Sequence, residues 1–216
     1  MNAPRREYYF TFPKGGWLDN LVDESLCDHK DKPVFNMLMN TTLVSLPLLA
    51  CLFAFCPNTK MGHVFGFAYF LTHYVLFLHS FILALHYSTH RRLIKQDSPL
   101  AWFNKVPLYV LCPTFGLPSG IYYLHHIVMH HCHDNCIPYD ISSSEPYQRD
   151  NILHWAVYWF RFWATVWVEL PFFAIRTGLY KYAAQSVGYF VVYFSYLYNV
   201  YKWNPVVATW GIIVPF

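Results

Sequence analysis

Twelve histidines punctuate this chain of 216 residues. Five fall in one stretch of fourteen, Tyr122-Tyr123-Leu124-His125-His126-Ile127-Val128-Met129-His130-His131-Cys132-His133-Asp134-Asn135. Two more, His86 and His90, close an earlier apolar run. Neutral imidazole is the commonest metal ligand among side chains. On an α-helix, residues four apart stand about 40° apart around the axis. His86 with His90, and His126 with His130, therefore each aim two rings in one direction, and His131 adds a ring beside the second pair. The spacing predicts a metal site. Two other donor sets compete with it. Cys132 and Cys136, interleaved with His131 and His133, have the atom types of a zinc site, but that arrangement leaves His86 and His90 without a role. A bis-histidine haem using His79 or His86 would need its ligands inside a helical bundle, whereas the paired histidines are expected outside one.

The elements that must position these rings are read from composition. Apolar residues make up 56% of the chain, aromatics 21% and charged residues 12%, the last about half the soluble norm of about 25%. That balance predicts a membrane protein. A formal net charge of +3, with no basic stripe, excludes a nucleic-acid reader. The six cysteines have no secretory signal or spaced framework around them and are read as reduced thiols.

Residues 1–33 form a polar leader, with Arg5, Arg6, Lys14, Lys30 and Lys32 against Glu7, Asp19, Asp23, Glu24, Asp28 and Asp31. It lacks the apolar core of a signal peptide, and its acids exclude a transit peptide. Tyr8, Tyr9, Phe10, Phe12 and Trp17 would let it lie on a membrane surface. Val34 to Cys56 is uncharged and long enough to cross a hydrocarbon core of about 30 Å, with Pro47 as a kink. A second uncharged stretch, Met61 to His90, exceeds what a bilayer needs and should carry His86 and His90 beyond it. His79 is expected to be buried and hydrogen-bonded, and His63 and His73 to be ordinary packed residues.

Lys105 to Gly120 is apolar but broken by Pro107, Pro113, Gly116 and Pro118, which predicts a shallow or re-entrant segment rather than a span. Asn151 to Val168, rich in Trp and Tyr, reads as an interfacial helix. Tyr182 to Tyr201 reads as a third span, and Pro205 to Phe216 as the start of a fourth. The expected fold is all-α and integral to the membrane, with three full spans, the start of a fourth, and interfacial helices bearing the histidine site. Thirteen of fifteen Lys and Arg lie in the leader or between Arg91 and Lys181, against Lys60 and Lys202 in the other turns. The positive-inside bias puts both histidine groups on the cytosolic side.

His86-Tyr87-Ser88-Thr89-His90 resembles the first histidine box, HxxxH, of the membrane fatty acid desaturase and hydroxylase superfamily. His126-Ile127-Val128-Met129-His130-His131 resembles the second, HxxxHH, and His-His-Cys-His-Asp-Asn is similar to the HHxxTN pattern of acyl-lipid desaturases, with Asp134 where threonine is usual. The resemblance covers residues 34–216. It implies two non-haem iron ions and an O2-dependent oxidoreductase that introduces a double bond into a fatty acyl chain, with hydroxylation as the alternative outcome. It also implies an electron donor such as a b-type cytochrome or a ferredoxin, and a place in the endoplasmic reticulum, with a plastid or another organelle as alternatives.

On that resemblance the metal ligands are His86, His90, His126, His130 and His131, and Asp134 or Asn135 would orient imidazoles. The family's third box, HxxHH or QxxHH, is absent, since no His-His pair follows His131. Two irons need about eight ligands or more. His125, His133, His154, Asp134 and Glu145 are the residues that could complete the set, although His154, lacking a partner at helical spacing, reads as structural. The sequence is therefore expected to be a C-terminally incomplete desaturase-like domain, or a short relative retained as a non-catalytic membrane subunit of a larger complex.

Overall fold

A computed structural model of the chain describes residues 10–216, which form helices and turns without a strand; Leu26 and Ile94 share an isolated antiparallel bridge. Of the leader, Arg5, Arg6, Glu7, Tyr8 and Tyr9 lie outside the described residues. Contacts divide the chain into two units, Met1–Leu117 together with Asn199–Phe216, and Pro118–Tyr198.

The first unit is built on a hairpin. Helix α1 spans Trp17–Ser25, α2 spans Lys32–Phe55 and α3 spans Lys60–His90, with the turn at Pro57-Asn58-Thr59 between the last two. The boundaries of α2 and α3 follow the two uncharged stretches. The buried residues of α3 form one stripe, Gly62, Gly66, Tyr69, His73, Phe77, Phe81 and Leu85, in steps of three and four, with Ala84 beside it. Its other faces expose Val64, Phe65, Leu71, Val75 and Leu83. A helix apolar on every side belongs in lipid or a large core, and α2 and α3, at 24 and 31 residues, are long and apolar enough to cross a membrane.

Of the three expected full spans, two, α2 and α3, are helices long and apolar enough to cross a membrane. The Tyr182 to Tyr201 stretch folds as the 24-residue helix Tyr180–Trp203, but its seven tyrosines keep it below the apolar character of α2 and α3. The stretch from Pro205 folds as the short helix Pro205–Ala208 and a wider π-type turn, Thr209–Ile213. It packs against α3. Gly66 makes this contact possible, since a Cβ there would come within 2.1 Å of the Trp210 ring. The Trp210 Nε1–H donates to His63 Nδ1 at 3.1 Å.

The proline-broken stretch is irregular, as its sequence requires: a 3-10 turn Ala101–Lys105, a π turn Val106–Leu111 and a 3-10 turn Cys112–Phe115, ended by Gly116 at φ 78°. Broken backbone survives at membrane depth only where protein satisfies its polar groups. His73, fully buried on α3, does this. Its Nε2 lies 3.0 Å from the Thr114 carbonyl, which can only accept, so Nε2 carries the proton. The Nδ1 is left to accept the Ser45 hydroxyl of α2 at 2.9 Å. One ring thus joins α2, α3 and the broken stretch. His79, by contrast, is exposed, because the buried stripe passes through His73, Phe77 and Phe81 instead.

The described part of the leader is built into this unit. Lys32 pairs with Asp19 at 2.6 Å and Asp23 at 2.7 Å, which ties α1 to the start of α2. The Cys27 N–H donates to the Leu93 carbonyl and the Lys95 N–H to that of Ser25, each at 2.9 Å. Buried Asp31 accepts the Tyr87 hydroxyl at 2.6 Å and also pairs with Arg91, so the leader braces the end of α3 that carries His86 and His90.

In the second unit, residues 121–133 are helical and lead through a polar loop to the helix Ile152–Arg176. Asn151 caps that helix, its side chain accepting from the Leu153 and His154 N–H groups. The helix continues through Pro171 beyond the expected end at Val168. Val166, Leu170 and Phe173 face a core with Leu124, Met129, Ile141 and Phe190, while Trp155, Trp159 and Phe160 remain exposed.

Replacing His73 with Leu strands the Thr114 carbonyl and the Ser45 hydroxyl, at a cost of about 1–3 kcal/mol per unsatisfied group, and thermal unfolding in detergent should begin at a clearly lower temperature. The hydrogen bond from Lys32, with a second from the Gly15 N–H, holds the Asp19 carboxyl below its usual range. Its folded pKa is depressed, so its contribution is present above the ordinary aspartate pKa and lost as pH falls through the lower folded value. The midpoint of the wild-type protein should fall below about pH 4, and Asp19→Asn should flatten that part of the profile.

Candidate metal centre

The histidine helix of the second unit does not keep α-helical spacing. Its middle, Leu124–His130, is a π segment, and the His131 N–H donates to the carbonyl of His126, five residues back. Hydrogen bonds of this reach widen the turn, so residues five apart come together in place of residues four apart. His126 Nε2 lies 3.1 Å from His131 Nε2. His126 and His130, four apart, have ring centroids 5.7 Å from each other. His125 and His130, again five apart, are nearly parallel at 18°. The wider turn pairs His126 with His131, where α-helical spacing pairs it with His130.

The His126–His131 distance has a chemical reading. Two nitrogens about 2.1 Å from one ion and at right angles to each other would lie about 3.0 Å apart. Without an ion, the same separation is an ordinary N–H···N hydrogen bond. The Tyr122 ring stacks on His126 at 5.0 Å and fixes its plane.

His130 is held by a residue that the spacing did not single out. Its Nδ1 lies 2.5 Å from Asp140 Oδ2, and the Asp140 side chain is completely buried. The other carboxylate oxygen accepts from the Ser142 N–H at 2.8 Å and the Ser142 hydroxyl at 2.7 Å. Burial alone would raise the Asp140 pKa, but these bonds and the one from His130 outweigh it and hold the carboxyl below its usual range. An ionised Asp140 accepts a hydrogen bond from the Nδ1–H, which keeps the proton on Nδ1 and leaves the Nε2 lone pair of His130 for a metal. This is the carboxylate–histidine arrangement that orients metal ligands. The only sequence signal for it was Asp140-Ile141-Ser142-Ser143-Ser144, the composition of an Asx-type turn.

His125 is half-exposed as a residue, but its Nε2 is sealed and has no hydrogen-bond partner. Burial lowers its pKa to about 4, with Asp140 opposing and His130 assisting, so the ring is neutral at physiological pH. A buried nitrogen without a partner costs about 1–3 kcal/mol, and an absent ligand would account for it. The other auxiliary candidates are engaged elsewhere. His133 stacks on Tyr139 at 5.4 Å and meets the edge of Phe173. His154 Nδ1 accepts from the Gln148 N–H at 2.9 Å. Asn135 Oδ1 accepts from the Ser144 N–H at 2.9 Å, and Glu145 accepts from the Ile137 N–H. Asp134 and Asn135 take positive φ values of 45° and 64°, turning the chain out of the helix.

In the first unit, His86 and His90 are exposed at the end of α3, with ring centroids 4.8 Å apart. Here α-helical spacing holds. Within the pair His86/His90, and within the pair His126/His131, the ligand nitrogens lie no more than 4.8 Å apart, so these four histidines are of a kind that could hold a metal ion. The cysteines are unpaired, and the Cys132 and Cys136 thiols face the backbone carbonyls of Ile127 and Asp134.

Comparison with protein families, with curated proteins and with solved structures finds no match. Fold and site thus define a helical protein with two helices fit to cross a membrane and a histidine group suited to a metal ion.

Asp140→Asn should keep the helix content measured by circular dichroism and weaken binding of a divalent metal by about 10- to 100-fold. Equal affinity in the variant would mean that Asp140 serves only the loop.

Proposed function

We propose that this chain is a membrane-bound non-haem iron oxidoreductase resembling acyl desaturases, in which His86, His90, His126, His130 and His131 serve as metal ligands. The observation that carries the reading is the pairing of histidines in both stretches, with His130 held by a buried carboxylate. The Tyr180–Trp203 helix, about 36 Å long, would be a third span, and the charge bias would put the histidines on the cytosolic side.

Bound iron would supply the oxygen-dependent chemistry that no side chain can perform on an unactivated acyl CH2. The residues of the chain do the rest. The five histidines hold the metal through neutral nitrogens, Asp140 keeps the proton on His130 Nδ1, and Tyr122 sets the plane of His126. Two irons, the number implied by the histidine boxes, need about eight ligands. The sealed Nε2 of His125 makes it the first candidate for a sixth. An acyl chain would arrive from the bilayer, and electrons from a b-type cytochrome or a ferredoxin.

Iron per chain, by elemental analysis of the purified protein in detergent, tests the reading. About two irons per chain is the expected result, with a loss in His126→Ala or His131→Ala and none in His154→Ala. Near-zero iron in folded protein overturns it. Product mass then separates desaturation, which removes two hydrogens, from hydroxylation, which adds one oxygen. The second reading is a non-catalytic membrane subunit, favoured by a histidine set of five where two irons need about eight ligands. It predicts that His130→Ala binds its partner as the wild type does.

A further inference from the structure

The Ile152–Arg176 helix carries a feature that the histidine site does not use. Against its C-terminal half and the loop around Tyr139 lies a cavity of about 390 Å³. Part of the lining is apolar, from Ile141, Phe172 and Phe173, and part is charged, from Arg161, Glu169 and Arg176. The helical residues fall on one face, at positions 161, 169, 172, 173 and 176.

The two arginines are not equivalent. Arg161 is satisfied within the protein, donating to the Ile141 carbonyl at 2.8 Å and to both Glu169 oxygens at 3.2 Å. The Arg176 guanidinium lies 5.8 Å from the centre of the Phe172 ring and has no ion-pair partner among the described residues. The cavity therefore holds one uncompensated positive charge beside an apolar wall. A lone cation in a part-apolar pocket selects an anion with a hydrocarbon portion, and the planar fork of a guanidinium matches phosphate oxygens. The same helix exposes Val168, Phe172 and Ile175 around this site, and Trp155 and Trp159 further along. Exposed aromatic and aliphatic residues of this kind lie at a membrane interface, so the ligand would come from lipid.

We propose that this cavity binds a phosphate-bearing amphiphile of the bilayer, with the phosphate on Arg176 and the first part of the chains against Phe172 and Phe173. The proposal rests on the membrane reading and is independent of the metal. Arg161 fixes the loop and is left untouched in the test.

The full chain in detergent is titrated with dioctanoyl phosphatidic acid, with inorganic phosphate and with dioctanoylglycerol, reading the thermal midpoint. Only phosphatidic acid should raise it saturably. Arg176→Gln should weaken that binding about tenfold or more, and Arg176→Lys less. Iron content should be equal in all three proteins, so this outcome separates from that of the metal reading. An equal response to inorganic phosphate would mean a free-anion site and overturn the amphiphile. An equal response to dioctanoylglycerol would remove the role of the phosphate, and unchanged affinity in Arg176→Gln would overturn the location.

Discussion

The hydrogen bond from the His131 N–H to the His126 carbonyl closes a turn of five residues instead of four, and the geometry of the second unit's histidines follows from it. In an α-helix, His126 would share a face with His130, and His131 would point away. The wider turn brings His131 onto the face of His126 and turns His130 toward the loop, where Asp140 receives it. A π turn gives up the tighter packing of α-helical backbone, and such turns occur mostly as single-turn insertions, frequently at functional sites. Here the insertion lets His126, His130 and His131 serve two purposes, a converging nitrogen pair and a carboxylate-oriented neighbour.

The first unit solves a different problem. Its Lys105–Gly120 stretch cannot satisfy its own backbone, because Pro107, Pro113 and Pro118 lack N–H groups and interrupt the ladder. A hydrocarbon environment offers no water in compensation. His73 is suited to the task because neutral imidazole is both donor and acceptor, so one buried ring can serve a carbonyl on one side and a hydroxyl on the other. Its chemistry is the same as that of His126, and its partners make it structural.

Much of this was legible in the residues, and the misses have physical causes. The ends of α2 and α3 were readable because Lys32, Lys60 and Arg91 bound uncharged runs of helical length. The irregular backbone after Ala101 was readable from its prolines. The Tyr180–Trp203 helix has the length of a span, but a count of charges does not register the polarity of its tyrosine hydroxyls. The π turn left no mark, since no residue type in Leu124-His125-His126-Ile127-Val128-Met129-His130 favours i→i+5 over i→i+4 bonding. Asp140 was invisible for another reason. Its partner lies ten residues back across a loop whose path depends on packing around Ile141 and Phe173.

Charge is scarce in this chain, and burying a carboxylate costs several kcal/mol unless it is well paired. The buried acids therefore mark where the fold needs them. Among the described residues they are Asp19, Asp31 and Asp140. Asp19 holds Lys32 at the start of α2. Asp31 holds Tyr87 and Arg91, one residue from His86 and from His90 respectively, and Asp140 holds His130 itself. Two of three buried carboxylates thus brace histidine groups from two different units. A set of histidines that merely packed would not need such support, because a neutral imidazole is satisfied by a carbonyl and a hydroxyl, as His73 is. Carboxylates beside imidazoles are the arrangement expected where ring orientation and proton position matter, and a metal ligand has both requirements.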